Sequence, residues 1–183
     1  HFGDPEFLYH QAAARVLGLL AMRMATADVV PLRFTGYATA LRDDLDAMRR
    51  DVIRAARTAT TAPFLPDFGP LLTALSDFDG AGRAADAAVD RALGAGDASA
   101  FERMNAALTQ VERAFLDKDG LPGRPWFKHQ LIGPGLTTGY APWPYPALRE
   151  AVEKKDTAMF DRESRRIQAA LGAGTARLRD VSR

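Results

Sequence analysis

The sequence has no cysteine, only three histidines, and no long uncharged run near the N-terminus. Without cysteine there can be no disulfide, thiolate metal site or cysteine nucleophile. The compartment stays open, because a stable exported domain can also lack the residue. Between Arg15 and Arg23 the uncharged stretch near the N-terminus is Val16 to Met22, whereas a membrane-spanning helix needs roughly 20 apolar residues. No transmembrane segment is expected. Charge of one sign is also missing: 24 Lys and Arg against 23 Asp and Glu give a net charge of +1, without the positive excess of a nucleic-acid binder. No His-Glu-x-x-His, Gly-x-Ser-x-Gly elbow or phosphate-binding glycine loop occurs, which leaves no self-contained active site. The chain opens His1-Phe2-Gly3-Asp4 with neither Met nor a basic leader, and reads as a piece of something longer whose targeting signal is out of view.

What is present is a globular balance, 47% hydrophobic and 26% charged over 183 residues, enough for one compact domain with a sizeable core. Helical periodicity dominates. Asp4-Pro5 reads as a cap followed by proline in the first turn, leading into an apolar run from Phe7 through Met24 that Val30-Pro31 closes. A helix apolar all round predicts burial on several sides. From about Thr35 to Thr60, Tyr37, Leu41, Leu45, Met48, Val52 and Ala55 recur at spacings of three and four. A third helix is expected over about Asp67 to Leu93, with Gly80-Ala81-Gly82 as a place to kink or split. Phe101, Met104, Leu108, Val111 and Phe115 mark a fourth, with Ser99 and Glu102 at capping-box spacing. Phe160, Ile167, Leu171, Gly174, Leu178 and Val181 stripe the last. The fold class is all-α, a bundle of about five long helices.

Residues 118–146 break the pattern. Pro122, Pro125, Pro134, Pro142, Pro144 and Pro146 lie there with Trp126, Phe127, Tyr140, Trp143 and Tyr145. A tolerated linker would be polar, whereas rings this dense need cover, either from the bundle itself or from another domain or subunit. The histidines His1, His10 and His129 do not have zinc-ligand spacing. Glu6 and His10, one turn apart, read as a surface pair, and His129, which could bind an anion or cap a backbone carbonyl, reads as the structural cap. Asp43, Asp44 and Asp46 read as a solvated face, Asp117 and Asp119 as punctuation after a helix, and the Arg49-Arg50 and Arg165-Arg166 pairs as ordinary surface charge.

The string Glu112-Arg113-Ala114-Phe115-Leu116-Asp117, then Gly120-Leu121-Pro122-Gly123-Arg124-Pro125, then His129, closely resembles the C-terminal helical domain of the glutamate carboxypeptidase and transferrin receptor family. The opening, with Asp4-Pro5, Tyr9-His10 and Val30-Pro31-Leu32, is similar to the junction where that family's peptidase domain hands over to the helical domain. The resemblance is densest over Glu112 to Tyr140 and weakest over residues 60 to 100. It implies a single helical dimerisation domain over 1–183, with 1–32 linking it to an upstream peptidase domain and 118–146 an irregular functional loop. It further implies a homodimer, a peptide substrate in the intact enzyme, and zinc held upstream, with no cofactor in this chain and no hydrolysis by it alone.

Family carboxypeptidases place a Lys-Tyr pair against the terminal glutamate of the substrate. Tyr140 occupies the tyrosine position and Gly139 replaces the lysine, so a phenol hydrogen bond persists while the ammonium is lost. Asp117, Gly120, Pro122, Arg124, Pro125 and His129 form the structural motif of the loop. The family also contains receptors without catalysis. Outside it, the competing reading is a stand-alone helical binding module holding a small anionic or aromatic ligand near Trp126, His129, Tyr140 and Trp143.

Overall fold

The computed structural model describes residues 3–137 and 141–183. Six α-helices occur among them: α1 (Leu8–Thr26), α2 (Phe34–Arg57), α3 (Gly69–Ala95), α4 (Ala98–Val111), α5 (Pro146–Lys154) and α6 (Thr157–Val181). A 3₁₀ turn, Glu112–Phe115, follows α4, and two short strands, β1 (Ile132–Pro134) and β2 (Pro142–Pro144), form an antiparallel ribbon. The all-α reading holds. Of the five long helices expected, α6 buries its predicted apolar stripe throughout and α2 and α4 most of theirs, Ala55 being exposed and Tyr37 and Phe101 half-buried, while α5 is an additional short helix directly after the loop.

α6 is the post around which the bundle is built. It packs on α3, α4, α5 and the 3₁₀ turn, and α2 covers the other side of α3. Asp156 caps its start by accepting a hydrogen bond from the Met159 amide at 2.9 Å, satisfying one of the otherwise orphaned first-turn donors. Phe160, Ile167, Leu171, Leu178 and Val181 are buried along it. At Gly174, a Cβ would lie 2.9 Å from Phe115 and 3.1 Å from Phe78, so the absent side chain lets two rings seat against the helix backbone. Those rings belong to a cluster with Phe34 and Tyr37, the Tyr37 and Phe115 rings stacked at 5.9 Å and the other pairs near perpendicular.

Local expectations fail in three places, each for a physical reason. α3 runs unbroken through Gly80-Ala81-Gly82, because Gly82 serves packing: a Cβ there would come within 3.2 Å of the Phe34 backbone at the start of α2. The Ser99 and Glu102 box does not form. Ser99 instead donates to Asp97, the residue that precedes α4. α1 buries none of its residues, which corrects the expectation of a helix covered on several sides: Leu8, Val16, Leu17, Leu19, Leu20 and Met22 all face solvent within this chain. No described helix is long and apolar enough to cross a membrane.

The tight seat at Gly174 yields a paired expectation. Gly174→Val should lower stability by about 2 kcal/mol or more through overpacking. Gly172→Ala, on the same helix with open space around its Cβ, should raise it by up to about 1 kcal/mol through helix propensity. Urea denaturation midpoints of the two variants check both signs.

Candidate functional site

The loop after Phe115 is short of amide donors, because each proline contributes a carbonyl but no N–H. Its backbone is therefore held partly by cationic side chains. Arg124 donates to the carbonyls of Pro122 (3.1 Å) and Pro134 (2.9 Å) and to the Glu150 carboxylate (2.5 Å). Arg149 reaches the Pro144 carbonyl at 2.8 Å, and Lys128 the Lys118 carbonyl at 2.6 Å. From α6, Arg166 spans the Asp117 carboxylate, the Gly120 carbonyl and the Glu163 carboxylate at 2.8 to 3.2 Å. The guanidinium fork, with five donors in one plane, suits a segment rich in carbonyls.

The remaining backbone bonds fold the segment onto itself. The Asp117 amide donates to Lys128, Leu121 to Phe127, and Gln130 to Phe115. The chain thus leaves Phe115 and returns beside it. Gly120 adopts a left-handed φ of 69°, and a Cβ would sit 2.4 Å from the Pro125 carbonyl oxygen, so no other residue fits the turn. Asp117 is more than punctuation. Its carboxylate accepts from the Asp119 amide as well as from Arg166, and the Arg166 bond is the largest cause holding it below the usual carboxylate range.

His129 has a defined hydrogen-bonding arrangement. Its Nδ1 accepts from the Ile132 amide at 3.0 Å, which leaves Nε2 to donate to Glu112 at 2.8 Å. The ring thus serves a backbone N–H, not the carbonyl expected, and stands edge-on to Phe115 at 5.7 Å. With both nitrogens engaged it is not poised for a ligand. His10 pairs with Asp4 and not with Glu6. No group of three or more His, Asp or Glu suited to a metal comes together among the described residues.

The rings of the loop divide. Tyr145 is fully buried in the bundle, its hydroxyl donating to the Leu41 carbonyl at 3.1 Å. Burial pushes its phenol pKa up, as it does that of Tyr37, whose buried hydroxyl has no partner among the described residues and lies near Glu112. Trp126 and Phe127 are exposed, and Leu116, Ile132 and Leu136 with them, giving the loop an uncovered apolar face. Trp143 is half-buried beneath the Arg149 guanidinium, 5.9 Å above its ring. Tyr140 and Gly139 lie outside the described residues, between β1 and β2 in sequence.

Sequence reasoning missed Glu150, and it marked Tyr145 only as one of the rings needing cover, not where it docks. Glu150 is buried beside Ala147, Leu148 and Ala151, so an acid sharing the apolar side of a short helix was the available signal. Tyr145 takes a left-handed φ of 53° immediately before Pro146, a position where the residue is already steered away from ordinary helical geometry.

Residues 66–179 match the transferrin receptor-like dimerisation domain. The match takes in the stretch up to residue 100 where the motif resemblance was weakest. A probable glutamate carboxypeptidase of Arabidopsis thaliana is 30% identical over 152 residues, covering 83% of this chain and 21% of the relative. One from Arthroderma benhamiae is 29% identical over 176 residues, 93% of this chain and 23% of the relative. An inactive zinc metalloprotease of Schizosaccharomyces pombe is 38% identical over 71 residues, 39% of this chain and 9% of the relative. The chain thus spans between a fifth and a quarter of the length of the first two.

Because the folded Asp117 titrates below its ordinary 3.8, its stabilisation is complete above that value and is lost as pH falls through the lowered one. Asp117→Asn should therefore flatten the acid limb of stability, its difference from the parent chain shrinking as pH drops. Thermal melts from neutral pH to about pH 2 follow this loss.

Proposed function

Because this chain belongs to the transferrin receptor-like dimerisation domain family, we propose that it is the single helical module, residues 1–183, that joins two copies of a carboxypeptidase-like zinc exopeptidase. The family match over 66–179 carries this reading. Two features of the chain support it. α1 presents an apolar surface that nothing among the described residues covers, and the loop exposes Trp126, Phe127, Ile132 and Leu136. Apolar surface of this kind is characteristic of interfaces. We assign residues 1–32 to the link with an upstream peptidase domain, which holds the zinc and the hydrolytic residues. The homodimer then forms by a two-fold contact, the commonest closed symmetry.

The loop 118–146 reaches the substrate pocket of the intact enzyme, with Tyr140 donating to the terminal carboxylate of a peptide. With Gly139 where the family has lysine, a neutral donor replaces a paired charge, and glutamate is favoured less strongly than in relatives that keep the ammonium. The similarity to an inactive zinc metalloprotease keeps a non-catalytic parent as the second reading, and upstream metal ligands decide between them.

Sedimentation of the intact protein should give a dimer at micromolar concentration; a monomer would remove the proposal. In that protein Tyr140→Phe should raise KM for a peptide ending in glutamate by about threefold to tenfold, as loss of one hydrogen bond to a charged group does, with kcat little changed. Gly139→Lys should lower it by about tenfold, and steady-state kinetics on glutamyl against alanyl termini reads both changes.

A further inference from the structure

The apolar stripe of α2 runs in large side chains as far as Val52 and then drops to Ala55 and Ala56. Between these last turns and the end of α5 a hollow of about 210 Å³ is left open. Its floor is continuous with the core. Val52 is buried, and Phe64 and Val152 are half-buried against the same cluster, the Phe64 ring standing edge-on to Phe160 at 6.3 Å. The hollow is thus held by packed side chains, and its walls are mostly apolar, the composition of a small-ligand site. For scale, an apolar cavity of about 150 Å³ is enough to take up a benzene molecule.

Two charged residues line the mouth, and they differ. Asp51 is matched by Arg54 at 2.9 Å, whereas Lys155 has no carboxylate partner among the described residues. Lys155 also occupies a strained place. It follows the last residue of α5 with a left-handed φ of 53°, where glycine is the usual occupant because it has no Cβ. The helix end is closed by backbone alone: the Lys155 amide donates to the Ala151 and Val152 carbonyls, and the Asp156 amide to Ala151 at 2.9 Å. Lys154, in the last turn, already supplies the cation that suits the helix dipole. A glycine would therefore serve α5 at least as well, and the strained lysine points to a task at the mouth of the hollow.

We propose that this hollow binds a small apolar monocarboxylate, its hydrocarbon body lying on Val52, Phe64 and Val152 and its carboxylate on the Lys155 ammonium. The volume suits one ring or a chain of about six carbons. One cation calls for one acid group, and the Asp51 carboxylate at the same mouth disfavours a second. The site binds and does no chemistry, and it stands apart from the reading of the chain as a dimerisation module.

The test titrates the intact protein, labelled at its alanine and valine methyl groups, with phenylacetate and follows the methyl NMR spectrum. Methyl shifts report this hollow itself, so an acid held elsewhere in the protein does not register. The Val52, Ala56 and Val152 methyls should shift and saturate in the millimolar range. Phenethylamine, the same body with a cationic end, should bind about tenfold more weakly. Lys155→Gly should weaken phenylacetate by about fivefold to tenfold while leaving the melting temperature level or higher, because glycine relieves the left-handed turn. Lys155→Arg should keep the affinity within about threefold, and Ala56→Leu, which fills the hollow without touching charge, should abolish the shifts. Absence of shifts at these methyls in the parent protein would overturn the proposal. So would equal binding by Lys155→Gly, tighter binding of the amine, or a lowered melting temperature in Lys155→Gly, the mark of an ammonium that serves the fold.

Discussion

The seat of Phe115 against Gly174 is the contact from which the rest of the architecture takes its position. Phe115 closes the 3₁₀ turn, stacks on Tyr37, and presses on α6 where a single missing methyl group makes room. Its carbonyl then accepts from Gln130, so the chain that leaves the bundle here is brought back to the same point. α4, α6 and the loop therefore share one fixed reference, and that reference is a ring packed at interior density, where displacements of a few tenths of an ångström are costly.

Beyond that point the constraint changes in kind. A helix satisfies its own backbone, but a proline-laced segment accumulates carbonyls without the amides to match them. The chain resolves the imbalance with side-chain cations drawn from three places: Arg124 within the turn, Arg149 from α5 and Arg166 from α6. Glu150 keeps Arg124 in place, Asp117 and Glu163 keep Arg166, and Arg149 lies 3.7 Å from Asp44. Charge here serves geometry, which is why a chain with almost no net charge contains so organised a set of ion pairs.

The helices were legible in the sequence where one stripe decides burial, as in α2, α4 and α6. They were illegible where tertiary contact sets the outcome. Gly82 looks like a helix breaker and is a packing residue, because its neighbour is the Phe34 backbone from another helix. Ser99 has a capping partner three residues on, but Asp97 takes its hydroxyl first. α1 has the composition of a core helix, and composition does not say which molecule supplies the cover. In the loop, the motif residues Asp117, Gly120, Arg124 and His129 were identifiable, and the structure gives each a definite partner or turn. Glu150 was legible only as an acid on the apolar side of a nine-residue helix, and that pattern does not say that it meets an arginine 26 residues earlier. Trp126 and Phe127 could be recognised as rings needing cover, yet their exposure depends on where the loop lies.

α5 is bracketed by two non-glycine residues in left-handed geometry, Tyr145 before it and Lys155 after it. Such brackets leave the helix no slack to absorb a change of length. Inserting one residue between Pro146 and Glu150 would swing the acid about 100° around the axis and away from its arginine. Length variation among descendants of this sequence should therefore collect in the irregular connection between α2 and α3, where residues 58–63 are exposed, and spare the stretch from the ribbon to the start of α6.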